Sequence, residues 1–70
     1  MKQYVIHMVS MYFWQGGQIV KTDKPTKMTI EEARQRLFDA QKYCKMMSKP
    51  YQPELIKMSG DRWKILNDTL

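Results

Sequence analysis

His7 and Cys44 are the only histidine and the only cysteine in the chain. With Glu31, Glu32 and Asp61 they are where reactive chemistry would have to be sought. Catalysis asks for a nucleophile beside a base, or for two opposed carboxylates, with pKa values matched to the task. The spacing supplies neither arrangement. His7 lies between Ile6 and Met8 in a run of β-branched and aromatic residues, the setting of a histidine hydrogen-bonded to its neighbours within a sheet. Cys44 falls on the apolar stripe of a helix, where it reads as a small buried hydrophobe. Glu31 and Glu32 belong to a helix start and Asp61 to a turn. Gly16-Gly17 is followed by a strand and not by a helix, so it reads as a turn and not as a phosphate-binding loop. A single thiol excludes an intrachain disulfide, and one His with one Cys cannot close a four-ligand zinc site. The expectation is a non-enzyme with no catalytic residues, no metal and no cofactor.

Binding chemistry is better represented. Lys and Arg total 12 against 7 Asp and Glu, a net charge of +5 and a pI near 9.5. That balance suits a polyanion such as nucleic acid or an acidic protein surface, and it also lies within the range that simply keeps a small domain soluble. The candidate binding residues are the loop cations Lys21, Lys24 and Lys27, the hairpin cations Lys57, Arg62 and Lys64, and the strand aromatics Tyr4, Tyr12 and Trp14. Rings interleaved with cations can stack bases while the charges follow phosphates. The same residue types concentrate at protein interface hot spots, and a domain of this size could offer one patch of roughly 800 Å².

The elements that must position these residues follow from hydrophobic period and turn chemistry. Residues 3–14 lack Gly and Pro, are dominated by β-branched and aromatic types, and end at Gln15-Gly16-Gly17, which predicts one long strand and a hairpin turn. Both faces of that strand are apolar, so it should sit centrally or have its second face covered. Gln18–Thr22 is the returning strand, and Asp23-Lys24-Pro25 ends its pairing. Thr29 before Ile30-Glu31-Glu32 predicts an N-cap with Glu32 completing a capping box. Ile30, Ala33, Leu37, Ala40, Cys44 and Met47 then recur in steps of 3, 4, 3, 4 and 3, which predicts a helix over 30–48 with Pro50 terminating it. Ser59-Gly60-Asp61 centres a second hairpin. Opposing Ile56 and Met58 with Trp63 and Ile65 turns that apolar face toward the helix and leaves Lys57, Arg62 and Lys64 on the other, with Leu55 and Leu66 beside them. Residues 67–70 read as a frayed tail. The expected fold is α+β in the order β-β-α-β-β, one antiparallel sheet of about four strands with a single helix on one face.

Seventy residues allow one domain, 1–70, and a chain this short draws only about 3–5 kcal/mol from its core, which makes a partner or a homodimer plausible. At 43% hydrophobic and 27% charged, with a mean hydropathy of −0.62, the chain is expected to fold. Its seven methionines read as a core built from adaptable residues, with a soft binding surface as the alternative. No cleavage site follows the N-terminal apolar run and no stretch is long enough to cross a bilayer, so the expected location is the cytoplasm, away from membranes. In size and in its one helix laid on a sheet the chain resembles small phage-encoded anti-defence proteins, among them several anti-CRISPR proteins. The likeness is one of layout and assigns no residue a role. What it implies is a small inhibitor or accessory protein that docks on a larger host protein or nucleoprotein complex. The alternative is direct binding of DNA or RNA by a basic, aromatic sheet face. Thr29-Ile30-Glu31-Glu32-Ala33 followed by the Ser59-Gly60 hairpin resembles small winged-helix excisionases, but residues 34–48 contain no Gly or Pro to turn the chain into the second helix that family needs.

Overall fold

The computed structural model describes residues 2–60 and 62–66. It is an α+β fold of one five-stranded antiparallel sheet with one helix packed against it. The elements are β1 (Tyr4–Val9), β2 (Tyr12–Gln15), β3 (Gln18–Lys21), α1 (Ile30–Met46), β4 (Glu54–Ser59) and β5 (Arg62–Ile65), with the strands in the spatial order β3-β2-β1-β4-β5.

The long strand expected over 3–14 is two strands. The chain reverses at Ser10-Met11, where Ser10 takes a positive φ of 52°, and β2 runs back along β1 with Val9 opposite Tyr12 and His7 opposite Phe13. Two residues on β1 thus match one on β2, the signature of a bulge. Neither Gly nor Pro marks the reversal, so the run reads as continuous and the sheet gains a fifth strand. The expectation that this run sits centrally is met by its first half, because β1 is the middle strand. At Gly16-Gly17 both residues have positive φ, 63° and 76°, as a tight hairpin turn requires, and Phe13 faces Val20 while Trp14 faces Ile19.

Thr29 caps α1. Its hydroxyl accepts from the Glu32 N–H at 3.2 Å and donates to Glu32 Oε1 at 3.2 Å, so the Glu32 carboxylate closes on the cap hydroxyl. Thr29→Ala removes both bonds and is expected to cost about 1 kcal/mol, read as a drop in melting temperature of about 4–8 °C. Ala33, Leu37, Ala40 and Cys44 are buried as their spacing predicts, but the helix stops at Met46 and Met47 is exposed. Pro50 is not what ends it. Ser48 takes a left-handed φ of 54°, its N–H reaches the Lys45 carbonyl at 3.4 Å, and the Lys49 N–H bonds the Cys44 carbonyl at 2.9 Å. This is a Schellman termination with a serine where glycine is usual. Relief of the left-handed strain, offset by the extra freedom of glycine in the unfolded chain, gives Ser48→Gly an expected net gain of about 0.5–1 kcal/mol by urea titration.

The second hairpin pairs Ile56 with Ile65 and Met58 with Trp63 as expected, about Gly60 at φ 62°. Its orientation is the reverse of the expectation. Leu55 joins Ile6, Met8 and Trp14 in the cluster beneath α1, with Tyr4, Ile19 and Leu66 packed against it. Strand side chains alternate, so Lys57, Lys64 and Arg62 share the helix side, while Ile56, Met58, Trp63 and Ile65 face away from the helix. The face with Ile56, Met58, Trp63 and Ile65 is the more apolar of the two, yet the helix takes the face with Leu55 and Leu66 because it packs chiefly over β1 and β4, where Ile6, Met8 and Leu55 point toward it. The methionine core is corrected too. Met8 is buried, whereas Met28 and Met58 are half-buried and Met11, Met46 and Met47 lie exposed. The expected tail over 67–70 and the turn residue Asp61 lie outside the described residues.

Candidate binding surfaces

The sheet has a second small core on the face that α1 does not cover. Val5, Phe13 and Ile56 are fully buried there, with Met58 against them. Three rings roof this cluster. His7 lies 5.3 Å from Phe13 and 5.5 Å from Trp63, and Phe13 lies 5.8 Å from Trp63, all edge-on, a geometry that aromatic quadrupoles favour. Trp63 belongs to β5 and meets a ring on β1, two strands away, so its indole must lie across β4 over Ile56. Its outer side stays half exposed at 50%, next to Ile65 at 54%.

His7 is held in this roof from below. Its Nε2–H donates to the Ser10 carbonyl at 2.8 Å, which ties the ring to the β1–β2 reversal, and Nδ1 stands 3.7 Å from Glu54 Oε1. This matches the expected role of a sheet histidine bonded to its neighbours. Cys44 is buried beneath the helix, and that burial pushes its thiol above the usual range, with Lys49 opposing the shift. A thiol so placed is a poor nucleophile at neutral pH. Among the described residues no three His, Cys, Asp or Glu side chains gather as a metal site would need.

All four strand cations, Lys21, Lys57, Arg62 and Lys64, point to the helix side by the alternation of their strands. The open face therefore carries no strand Lys or Arg in a chain that has 12. Its described ionisable groups are His7 and Glu54. Aromatic, aliphatic and depleted of cations, it has the composition found at the centre of protein interfaces.

The six residues expected on one open face, Tyr4, Tyr12, Trp14, Lys57, Arg62 and Lys64, and the three lysines expected at its rim, Lys21, Lys24 and Lys27, are dispersed. Trp14 is buried against Tyr43, their rings 5.0 Å apart, and does not reach the surface. Tyr12 pairs with Lys21 near the β3 edge, and Lys24 and Lys27 lie exposed on the following loop. The others converge. Tyr4 stands opposite Lys57, which stands opposite Lys64, with Arg62 two residues before Lys64 on the same side of β5. Trp63 and Ile65, half exposed on the open face above the buried Phe13, are the candidate surface residues that sequence reasoning missed. The two-sided apolar character of the 3–14 run points to cover on a second face, and Trp63, on a hairpin of its own, supplies part of that cover over His7 and Phe13.

A groove of about 810 Å³ opens between the C-terminal end of α1 and the start of β4, lined by Met8, Cys44, Lys49, Tyr51 and Glu54 among others. It gathers no acid–base pair in hydrogen-bond contact. No helix among the described residues is long and apolar enough to cross a membrane. α1 runs unbroken from Ile30 to Met46, so the second helix of the winged-helix excisionases is absent from the described residues. The architecture is thus an α+β sheet-and-helix protein with one open apolar face. Comparison with known proteins returns no matching family model, no matching curated protein and no matching solved structure.

Proposed function

We propose that the protein is a non-enzymatic accessory or inhibitor protein that docks on a larger host protein or nucleoprotein complex, in the manner of small anti-defence proteins. One observation supports this reading above the others: a sheet face with a half-exposed Trp63 and Ile65 over a buried apolar cluster, from which every strand cation is excluded. A partner that covers this face buries a rigid aromatic anchor at little cost in side-chain entropy, which is how interface hot spots gain their energy.

Ile65→Asp tests the docking. Ile65 lies on an edge strand and is already half exposed, so the charge is tolerated by the free protein but not by a closed apolar interface. The tagged wild type is expected to retain a protein partner from nuclease-treated host lysate, and Ile65→Asp to lose it with little change in melting temperature. Equal retention by both proteins refutes the open face as the docking surface. So does a wild type that retains nothing and remains a monomer by light scattering.

A further inference from the structure

On the helix side of the sheet, at the end where α1 begins, cations stand beside cations. Lys57 and Lys64 are direct cross-strand partners, an arrangement that like charges disfavour. The pairing of β1 with β4 continues one residue past Tyr4, where the Met58 N–H bonds the Gln3 carbonyl at 2.7 Å, and extending that register by one more residue sets Lys2 against Ser59. Ser59 is in turn opposite Arg62. Two adjacent rows of the sheet thus present Lys57 with Lys64 and Lys2 with Arg62 on one side. Among the described residues the ion pairs are His7–Glu54 and Arg36–Asp39, so none of these four cations has a carboxylate within 4.0 Å. Lys57 is half-buried and the other three are exposed. α1 packs chiefly over β1, β4 and β2, which leaves the β5 side of this corner open to a ligand.

A sheet that sets cations opposite one another without an acid between them carries repulsion that a polyanion would cancel. From this corner we infer that Lys2, Lys57, Arg62 and Lys64 form a second binding site, for the phosphodiester backbone of a nucleic acid. The site reads charge and not sequence, because the one ring in these rows, Tyr4, is half-buried against the cluster beneath α1, and the cations follow phosphates without offering an edge contact to a base. It lies on the opposite side of the sheet from the proposed docking face and does not depend on that reading.

The test is fluorescence anisotropy of the full chain with labelled mixed-sequence 16-mers, single-stranded and duplex, between 50 and 200 mM KCl. Four phosphate contacts predict an affinity loss of about 50-fold for the single strand and about 150-fold for the duplex across that range. Lys57→Gln with Lys64→Gln is expected to halve the slope, leaving a loss of about 7-fold and 12-fold, and to melt no lower than the parent because a like-charge pair is removed. Arg62→Gln alone, at an exposed edge position, is expected to reduce the slope by about 0.7–0.9. Lys42→Gln with Lys45→Gln removes the same charge from exposed positions near the far end of α1 and is expected to leave the slope unchanged. An equal loss with that control pair overturns the site and reduces the effect to net charge. Absence of binding at 50 mM overturns it as well, and displacement of the DNA by poly-glutamate at equal charge does so in favour of an acidic protein.

Discussion

Leu37→Asp is expected to leave the chain unfolded at 25 °C, with the circular dichroism of a coil and no cooperative melting transition. Leu37 is 1% exposed and belongs to the cluster beneath α1, between Ala33 and Ala40 on the helix and the Ile6, Met8, Trp14 and Leu55 side chains of the sheet. A carboxylate there has no counter-charge, since no buried charged residue is present among the described residues, and the one buried donor without a partner, the Trp14 indole Nε1–H, is neutral. The cost of an unpaired buried charge is several kcal/mol, and it equals or exceeds the roughly 3–5 kcal/mol that a core of this size supplies. Leu37→Met, which keeps the volume, is expected to stay folded with a loss below about 1.5 kcal/mol. A melting transition retained by the aspartate variant would mean that this side of α1 does not face the sheet.

Phe13→Ala is expected to unfold most of the population from the opposite face. Phe13 is 2% exposed although no helix covers it, and its burial depends on Val5, Ile56 and the His7 and Trp63 rings. Truncating a buried phenylalanine costs about 3–5 kcal/mol, again comparable to the whole margin. Urea titration should therefore show a midpoint near zero denaturant. A midpoint close to that of the wild type would show that the three-ring roof is not packed in solution. Its side chains would then be free surface and not a second core.

These two variants mark where the fold was readable and where it was not. The α1 stripe from Ile30 to Cys44 and the Thr29 cap were legible because helix period and capping chemistry are local. The Ser59-Gly60 hairpin and its Ile56–Ile65 register were legible for the same reason. The Ser10-Met11 reversal was not, because a serine bent into a positive φ looks like any strand residue until its surroundings impose the bend. The end of the helix was hidden in the same way at Ser48. Facing is a different kind of miss. Leu55 and Ile56 are neighbours of similar hydrophobicity, and only the helix, which precedes them in the chain and packs from a distance in sequence, decides which of them lies beneath it. The candidate surfaces inherited that ambiguity. The register sets Lys57, Arg62 and Lys64 on one side with one another and with Tyr4, but that side is the helix side and not the open face expected, while Trp14 lies beneath α1 and Trp63 on the open face, each where the other was expected.

The central place of β1 bears on how the chain is made. β1 pairs on one side with β2, only a few residues later, but its other partner is β4, where Tyr4 waits for Lys57. At a synthesis rate of about 5–20 residues per second, that edge stays unpaired for about 3–10 s after β1 has emerged. During this interval the three-stranded N-terminal half presents a bare row of amides and carbonyls flanked by apolar side chains on both faces. This is the species most prone to associate with another nascent copy, and slowing translation beyond Ser48 should raise the aggregated fraction.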